Sequence, residues 1–166
     1  MPLLQGLPPE SGCNPRVLIL GSFPSPLSLE AGEYYANPRN QFWNIMEFHL
    51  GISKGLPYTE KLAGLKKNHI AMWDVIFSCE RRGAMDNAIR NATENDIPLF
   101  LNANPAVKMV IANGTTAGRY LGKFRQDWLS QANVLILPST SPANARTTFA
   151  EKLSAWAVML EVIHSS

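Results

Sequence analysis

The stretch "VLILG", residues 17 to 21, determines the fold class of this chain of 166 residues. It is a continuous run of Val, Leu and Ile that ends in glycine, without alternation between apolar and polar positions. Such runs are typical of strands buried on both faces of a parallel sheet. We predict four strands of this kind, the other three being "HIAMWDVIF" (69–77), "VKMVIANG" (107–114) and "NVLILP" (133–138).

Segments with helical character separate and follow these strands. They are "NQFWNIMEFHLG" (40–51), "YTEKLAGLKKN" (58–68), "DIPLFLNANP" (96–105), "TTAGRYLGKF" (115–124) and "TFAEKLSAWAVMLEVIH" (148–164). Strands that alternate with helices predict an α/β protein, here a three-layer α/β/α sandwich with a four-stranded, mostly parallel central sheet. By length, residues 1–166 form a single domain. Residues 1–16, with four prolines and two glycines, are expected to form a surface coil.

The composition excludes several classes of protein. The two cysteines, Cys13 and Cys79, and the three histidines share no spacing typical of a zinc site, an iron–sulfur cluster or a zinc deaminase. The N-terminus has no basic start, and no apolar run approaches the roughly 18 residues of a membrane helix. We therefore expect a soluble, intracellular, cytoplasmic protein (nucleoid-associated in a bacterium) that needs no metal and no cofactor. The formal net charge of +2 does not by itself indicate nucleic-acid binding.

The loops that follow the four strands are expected to hold the functional site. In open parallel sheets, ligands bind outside the carboxyl ends of the strands. These ends are followed by segments rich in Gly, Pro, Ser and Asn, and the first segment runs from residue 21 to residue 40. Loops of that length in a compact domain are usually functional.

The residues in these loops favour one chemistry over three others. The first loop lacks the glycine patterns of phosphate-binding loops, and no GxSxG motif indicates a serine hydrolase. The carboxylates are too dispersed for metal-dependent nucleotide hydrolysis. The remaining residues are aromatics, amides and hydroxyls, which suit a flipped nucleobase: an aromatic ring stacks on the base, and an asparagine both donates and accepts hydrogen bonds at its edge.

Two motifs carry a resemblance to a known family. "GSFPSPLSLEAGEYYANPRNQFW" (21–43) resembles the first motif of the uracil-DNA glycosylase superfamily, and "LPSTSPANAR" (137–146) resembles its second motif, the loop that enters the minor groove. Within the superfamily, GSFPS followed by YYANPRNQFW is most similar to the hypoxanthine-DNA (deoxyinosine) glycosylases. The resemblance implies a monomeric, monofunctional repair enzyme. Such an enzyme flips a deaminated base out of DNA and hydrolyses its N-glycosidic bond without metal or cofactor.

The chain departs from the superfamily pattern at two catalytic positions. Phe23 stands where many relatives have a catalytic Asn or Asp, and the second motif lacks the histidine of the efficient uracil enzymes. The resemblance to the hypoxanthine branch implies an asparagine downstream of the first loop, either Asn40 or Asn37. Asn40 is also a good helix N-cap, and Asn37 precedes Pro38, as in many turns.

The resemblance also implies roles for the other loop residues. Tyr35 takes the position of the residue that stacks on the base, although ordinary core packing is an alternative for Tyr35 and for Phe23. The predicted base-binding residues are Gly21, Ser22, Phe23, Tyr35, Asp74 and Ser78. The predicted DNA-binding residues are Ser25, Ser139, Thr140, Ser141, Ala143, Asn144 and Arg146, with a plain turn as the alternative for 139–141.

Two other functions remain open at this point. One is a different base specificity within the superfamily, namely uracil or xanthine. The other is a non-catalytic nucleic-acid-binding or nucleotide-binding domain, because Phe23 cannot orient water. Release of the base from a lesion-containing oligonucleotide distinguishes an enzyme from a binding domain.

Overall fold

A computed structural model describes residues 2–124 and 131–164. The described strands are β1 (Leu4–Gln5), β2 (Val17–Gly21), β3 (Ile70–Asp74), β4 (Ile76–Glu80), β5 (Arg90–Glu94), β6 (Met109–Asn113) and β7 (Asn133–Leu137). The central sheet has the order β3-β2-β6-β7, and all of its neighbouring strands are parallel. The predicted four-stranded sheet is confirmed.

Helices cover both faces of this sheet. The described helices are α1 (Pro26–Ala31), α2 (Phe42–Leu50), α3 (Tyr58–Lys67), α4 (Ile97–Ala103), α5 (Thr115–Phe124), α6 (Phe149–Trp156) and α7 (Met159–Ile163). Val17 and Ile19 of β2 point into the core shared with α2, α3, α6 and α7, whereas Leu18 and Leu20 point into the core shared with α4 and α5. Because side chains alternate along a strand, an uninterrupted apolar run builds both cores, and the three-layer prediction is confirmed. None of the helices in the described ranges combines the length and apolarity needed to cross a membrane.

A second sheet of three antiparallel strands, in the order β1-β4-β5, was not predicted. The segment 69–77, predicted as one strand, leaves the central sheet after Asp74, where the Val75 N–H donates to the Gly21 carbonyl at 2.9 Å. The chain then continues as β4 in the second sheet. Strand β1 lies in the segment expected to be a coil, and Glu10 forms an isolated bridge with Met72.

Two further elements differ from prediction. The long first loop contains the short helix α1, which Ser25 caps by accepting from the Ser28 N–H, and which ends at Gly32 with φ +67°. The last predicted helix divides into α6 and α7 around Ala157. Its N-terminus has the predicted capping box, formed by Thr148 and Glu151. Both differences lie outside the central sheet, which alone positions the strand ends.

Asn95 holds the bend at which the chain passes from one sheet to the other. Its side chain is 7% exposed, and its Nδ2 donates to the carbonyls of Asp74 and Ile76 at 2.8 and 3.3 Å. Its backbone N–H donates to the Val75 carbonyl at 2.8 Å. One asparagine therefore satisfies three consecutive carbonyls where regular pairing stops.

We predict that Asn95→Ala lowers the free energy of unfolding by about 1–3 kcal/mol, because two buried carbonyls lose their donor. Urea unfolding followed by circular dichroism measures the change. Asn102→Ala is the matched control, since Asn102 is exposed within α4, where alanine is tolerated. Equal stability of the two variants would show that Asn95 does not hold the bend.

Candidate active site

A cleft of about 940 Å³ opens at the carboxyl ends of the parallel strands. This volume is at the upper end of the roughly 300–1,000 Å³ typical of small-molecule sites. Its lining includes Asp74 and residues within the segments 21–25, 34–40, 84–87, 113–116 and 136–144. In the described part of the chain, no group of three or more His, Cys, Asp or Glu residues is placed to hold a metal ion.

Asn113, the last residue of β6, connects the two walls of the cleft, which are the 34–41 turn and the 138–147 loop. Its Nδ2 donates to the Tyr35 hydroxyl at 3.2 Å and to Thr140 Oγ1 at 3.0 Å, and its Oδ1 accepts from the Thr140 N–H at 3.0 Å. The Asn113 carboxamide thus links the turn that carries Tyr35 to the loop that carries Thr140, at the carboxyl edge of the central sheet. The sequence did not predict Asn113 as a site residue. The available signal was its position, directly before Gly114 at the end of a predicted strand.

Tyr35 lies in the cleft, and both its ring and its hydroxyl are held in place. The ring stacks on Phe42 with a centroid distance of 4.0 Å, and its hydroxyl is bound by Asn113. Burial, followed by the nearby Asp74, raises the pKa of Tyr35 above its usual range, so its hydroxyl stays protonated. Its backbone has φ +57°, a conformation that costs of order 1–3 kcal/mol for a non-glycine residue and is common at functional sites.

Asp74 ends β3 beside Gly21, and its side chain is buried at the cleft. The residue is 4% exposed, and its Oδ2 has no hydrogen-bond partner among the described residues. A Cβ on Gly21 would lie 2.5 Å from Asp74 Oδ1, so a larger residue at position 21 would displace the carboxyl group. Burial, followed by the charge of Asp86, raises the pKa of Asp74 to about 7.

Asp86 is a second carboxyl group of the cleft, and it has partners. Ser22 Oγ donates to Asp86 Oδ1 at 3.0 Å. Burial raises the pKa of Asp86, while the hydrogen bond from Ser22 and the nearby Arg81 favour its charged form. Sequence analysis treated Asp86 as one of several dispersed carboxylates, because the pairing of β4 with β5 that returns it to the cleft was not predicted.

Phe23 lines the cleft but is mainly a packing residue. It is 7% exposed and lies in a small core with Ile76 and Ile89. The Arg81 guanidinium lies 5.3 Å from the centre of its ring and donates to the Pro24 carbonyl at 2.9 Å. Arg81 thus fixes the loop that carries Phe23.

The structure does not bring all predicted residues to the cleft. Ser78 is not among the lining residues, because β4 belongs to the second sheet, where Ser78 Oγ is hydrogen-bonded to Thr93 Oγ1 at 2.6 Å. Ser78 therefore lies away from the cleft, and its assignment as a base contact has no support from its position. Arg146 is exposed and also lies outside the lining. The other predicted base-binding and DNA-binding residues all line the cleft.

The two candidate asparagines both line the cleft and both support the local backbone. Asn40 Oδ1 accepts from the Phe42 N–H at 2.9 Å at the start of α2, and Asn37 Oδ1 accepts from the Arg39 N–H at 2.9 Å. Asn37 thus has the turn role considered from the sequence, whereas the N-cap position of α2 is occupied by Gln41, one residue after Asn40. Since each oxygen accepts from the backbone, the amide NH₂ is the end that can donate to a ligand.

The loop 139–144 is held by bonds within itself. Ser139 Oγ accepts from the Ser141 N–H at 3.1 Å, Ser141 Oγ accepts from the Ala143 N–H at 3.2 Å, and Asn144 Nδ2 donates to the Ser139 carbonyl at 3.1 Å. Both serines thus have the turn role considered from the sequence. Their hydroxyl protons remain able to donate to a ligand.

Lys152 of α6 connects the same two walls from outside the cleft. The residue is 3% exposed, and its Nζ donates to Gln41 Oε1 at 2.8 Å and to the Asn144 carbonyl at 3.1 Å. The Gln41 N–H in turn donates to the Thr140 carbonyl at 2.9 Å. Within the described ranges no carboxylate pairs with Lys152, and burial lowers its pKa. This lysine, missed by sequence analysis, connects the 34–41 turn to the 138–147 loop.

The chain matches known proteins over most of its length. Residues 8–160 match the family model described as the Uracil DNA glycosylase superfamily. A protein of Methanosarcina barkeri named hypoxanthine DNA glycosylase is 34% identical over 154 residues, which are 92% of this chain and 95% of that protein. A protein of the same name from Methanosarcina acetivorans is 34% identical over 143 residues, which are 86% and 89% of the two chains. A solution NMR structure from Methanosarcina acetivorans, described as a candidate uracil DNA glycosylase, superposes with a TM-score of 0.85 and 31% identity, covering 98% of this chain and 99% of the other.

We predict that Lys152→Met increases hydrogen exchange at the Gln41 amide by about tenfold, because the connection between the two walls loses its donor. The free energy of unfolding should change by less than about 1 kcal/mol, since removal of a buried charge offsets the lost hydrogen bonds. NMR hydrogen exchange and urea unfolding measure the two quantities. Lys67→Met, at the exposed end of α3, is the control. Unchanged hydrogen exchange at the Gln41 amide would show that Lys152 does not hold the two walls together.

Proposed function

The chain belongs to the uracil DNA glycosylase superfamily, and on that premise we propose that it releases hypoxanthine from deoxyinosine in DNA. It is a DNA repair glycosylase that hydrolyses N-glycosidic bonds, and damaged DNA is its substrate. The two relatives named hypoxanthine DNA glycosylase support this base specificity. The match over most of the chain confirms the family resemblance seen in the two sequence motifs.

One observation supports the proposal most directly: the cleft combines a fixed aromatic ring, Tyr35, with polar side chains at the strand ends, Asp74 and Asn113. Tyr35, in the turn before α2, and Asp74, at the end of β3, line the same cleft. An extruded base needs a ring to stack on and hydrogen-bonding groups along its edge. The cleft supplies both, and the serines of the 139–144 loop at its rim provide hydroxyls for phosphate contacts.

Asn40 is proposed as the group that stabilises charge on the departing base, with Asn37 as the second choice. Cleavage of the bond leaves positive character on the sugar and negative charge on the base. Asn40 lies at the N-terminal end of the nine-residue helix α2, whose dipole favours negative charge. Loss of one such donor typically reduces the rate about 100- to 1,000-fold.

Water is proposed as the nucleophile, so the enzyme has no lyase step. A Schiff base requires an amine in the cleft, whereas Lys152 does not line it and its Nζ is bound by Gln41 and Asn144. No metal is included in the proposal.

We predict that a duplex with deoxyinosine loses its base faster than duplexes with deoxyuridine or deoxyxanthosine. Single-turnover incubation followed by alkaline cleavage of abasic sites measures each rate, and an undamaged duplex is the control. Addition of a chelator should leave the rates unchanged. Faster release of uracil or xanthine would contradict the proposed specificity for hypoxanthine. Tight binding without release of any base would indicate a binding domain.

We predict that Asn40→Ala lowers single-turnover release of hypoxanthine by about 100-fold or more, because the leaving base loses a donor. Loss of the hydrogen bond from the Phe42 N–H to Asn40 Oδ1 should cost only about 1 kcal/mol of stability, so thermal unfolding separates the two effects. Asn37→Ala is the paired variant and should have the smaller effect on rate. If both variants act within a few-fold of the parent, the catalytic group lies elsewhere.

A further inference from the structure

The turn between β4 and β5, residues 81–89, carries an exposed methionine to the rim of the cleft. Met85 is 53% exposed, and it lines the cleft together with Ala84, Asp86 and Asn87. Single exposed apolar residues are ordinary on protein surfaces, so the role of Met85 is decided by what holds it and what surrounds it. Hydrolysis of the glycosidic bond has no need of an apolar side chain at this rim.

The backbone that carries Met85 is held in place. The Met85 carbonyl accepts from the Ala88 N–H at 3.1 Å, and the next residue, Asp86, accepts from Ser22 Oγ at 3.0 Å. Ile89, the last residue of the turn, is buried. The turn is thus anchored on both sides of the exposed side chain. A ligand that contacts Met85 therefore has to order little more than the side chain itself, which keeps the cost of binding low.

The other exposed apolar residue of the lining, Ile136, is placed differently. It is 56% exposed but belongs to β7, the edge strand of the central sheet. A Cβ on Gly118 would lie 2.6 Å from Ile136 Cδ1, so the Ile136 side chain lies against α5. The remaining exposed large hydrophobic residues of the described ranges lie outside the lining: Leu3, Leu27, Phe48, Leu56, Phe77 and Leu99. In this part of the chain, Met85 is therefore the apolar side chain that the rim can offer to a ligand.

The 139–144 loop, which is expected to approach the duplex, has only short apolar side chains. Pro142 is partly covered, Ala143 is small, and the Asn144 side chain is bound to the Ser139 carbonyl at 3.1 Å. A flipped nucleotide leaves a gap in the base stack, and proteins that open a base step often insert an apolar side chain such as Met there. The unbranched side chain of Met85 is long enough and adaptable enough to fill such a gap.

Basic residues lie on the same rim as Met85. Arg82 is exposed in the β4–β5 turn, and Arg119 is exposed on α5. Burial raises the pKa of Asp86, and the nearby Arg119 opposes that rise, so this arginine is close to the turn. Arginines contact phosphates in most DNA complexes and fix the register of the duplex on the protein. Phosphates bound along this rim would bring the base stack of the duplex towards Met85.

We propose that Met85 enters the DNA base stack and fills the space left by the flipped nucleotide. The inference rests on the proposed function, because only a flipped base leaves such a space. It assigns the wedge to the β4–β5 turn, on the side of the cleft that neither sequence motif includes. Once the gap is filled, the extruded base cannot return to the stack, so Met85 raises the fraction of complexes that hold the base in the cleft. The bond-breaking step and the choice of base are unaffected.

Replacement of Met85 tests the inference on two duplexes. One has cytosine opposite deoxyinosine, and the other has a pyrene nucleotide there, whose bulk keeps the deoxyinosine out of the stack. In single-turnover assays, Met85→Ala should release hypoxanthine about 10- to 100-fold more slowly than the parent from the cytosine duplex, because flipping is no longer supported. On the pyrene duplex the difference should shrink to within about threefold, because the pyrene takes over the role of the wedge.

Two further variants separate apolar bulk from other effects. Met85→Leu keeps an apolar side chain of similar size and should recover the parent rate on the cytosine duplex to within about threefold. Leu99→Ala is the matched control, since Leu99 is exposed on α4 and lies outside the lining, and it should keep the parent rates on both duplexes. The melting temperature of Met85→Ala should match that of the parent, because an exposed side chain adds little to stability.

The outcomes separate failure of the inference from failure of the proposed function. If the parent releases no hypoxanthine from the cytosine duplex, the proposed function fails. If the parent releases it and Met85→Ala is equally fast, Met85 does not fill the gap. An equal loss by Met85→Ala on both duplexes would place Met85 in the base pocket instead of the stack and would overturn the inference. The same conclusion follows if Met85→Leu is as slow as Met85→Ala.

Discussion

The complete burial of β2 is the constraint on which the rest of the structure depends. From Val17 to Gly21 the strand is covered on both faces, so it has no room for a polar side chain along its length. Its neighbours β3 and β6 are buried almost as fully. Polar side chains appear at the carboxyl ends, at Asp74 and Asn113. Because parallel strands end at the same edge, these groups meet there and form the cleft.

Hydrogen bonds to neutral acceptors, rather than ion pairs, hold the cleft together. Asn113 binds Tyr35 and Thr140, and Lys152 binds a side-chain amide and a backbone carbonyl. In the described ranges the ion pair within 4.0 Å joins Lys66 to Glu10. The Asn113 amide adds no charge to the cleft, and the charged donor Lys152 lies outside the cleft lining. Amides and hydroxyls therefore provide order, while the few ionisable groups remain available for chemistry.

The sequence was sufficient for the central sheet because each of its strands is a continuous apolar run. It was not sufficient for the second sheet: β4 follows β3 after Val75 alone, and no glycine or proline marks the change. The first and second motifs located most of the cleft, since their loops follow β2 and β7. Asn113, Asp86 and Lys152 were missed because their roles depend on contacts distant in sequence. The partner of Lys152 in the first wall is Gln41, 111 residues away.

The separation of Asp74 from Lys152 is as important as the position of either residue. Both are buried and ionisable, and an ion pair between them would be the ordinary way to accommodate two such groups. Pairing would lower the pKa of Asp74 and fix it as a carboxylate. Instead, Lys152 is bound by neutral oxygens, and the groups that face Asp74 are acids. The protein thus holds, among its described residues, a lysine without a carboxylate partner and an acid whose pKa is raised to about 7, and it keeps the two apart at opposite sides of the site.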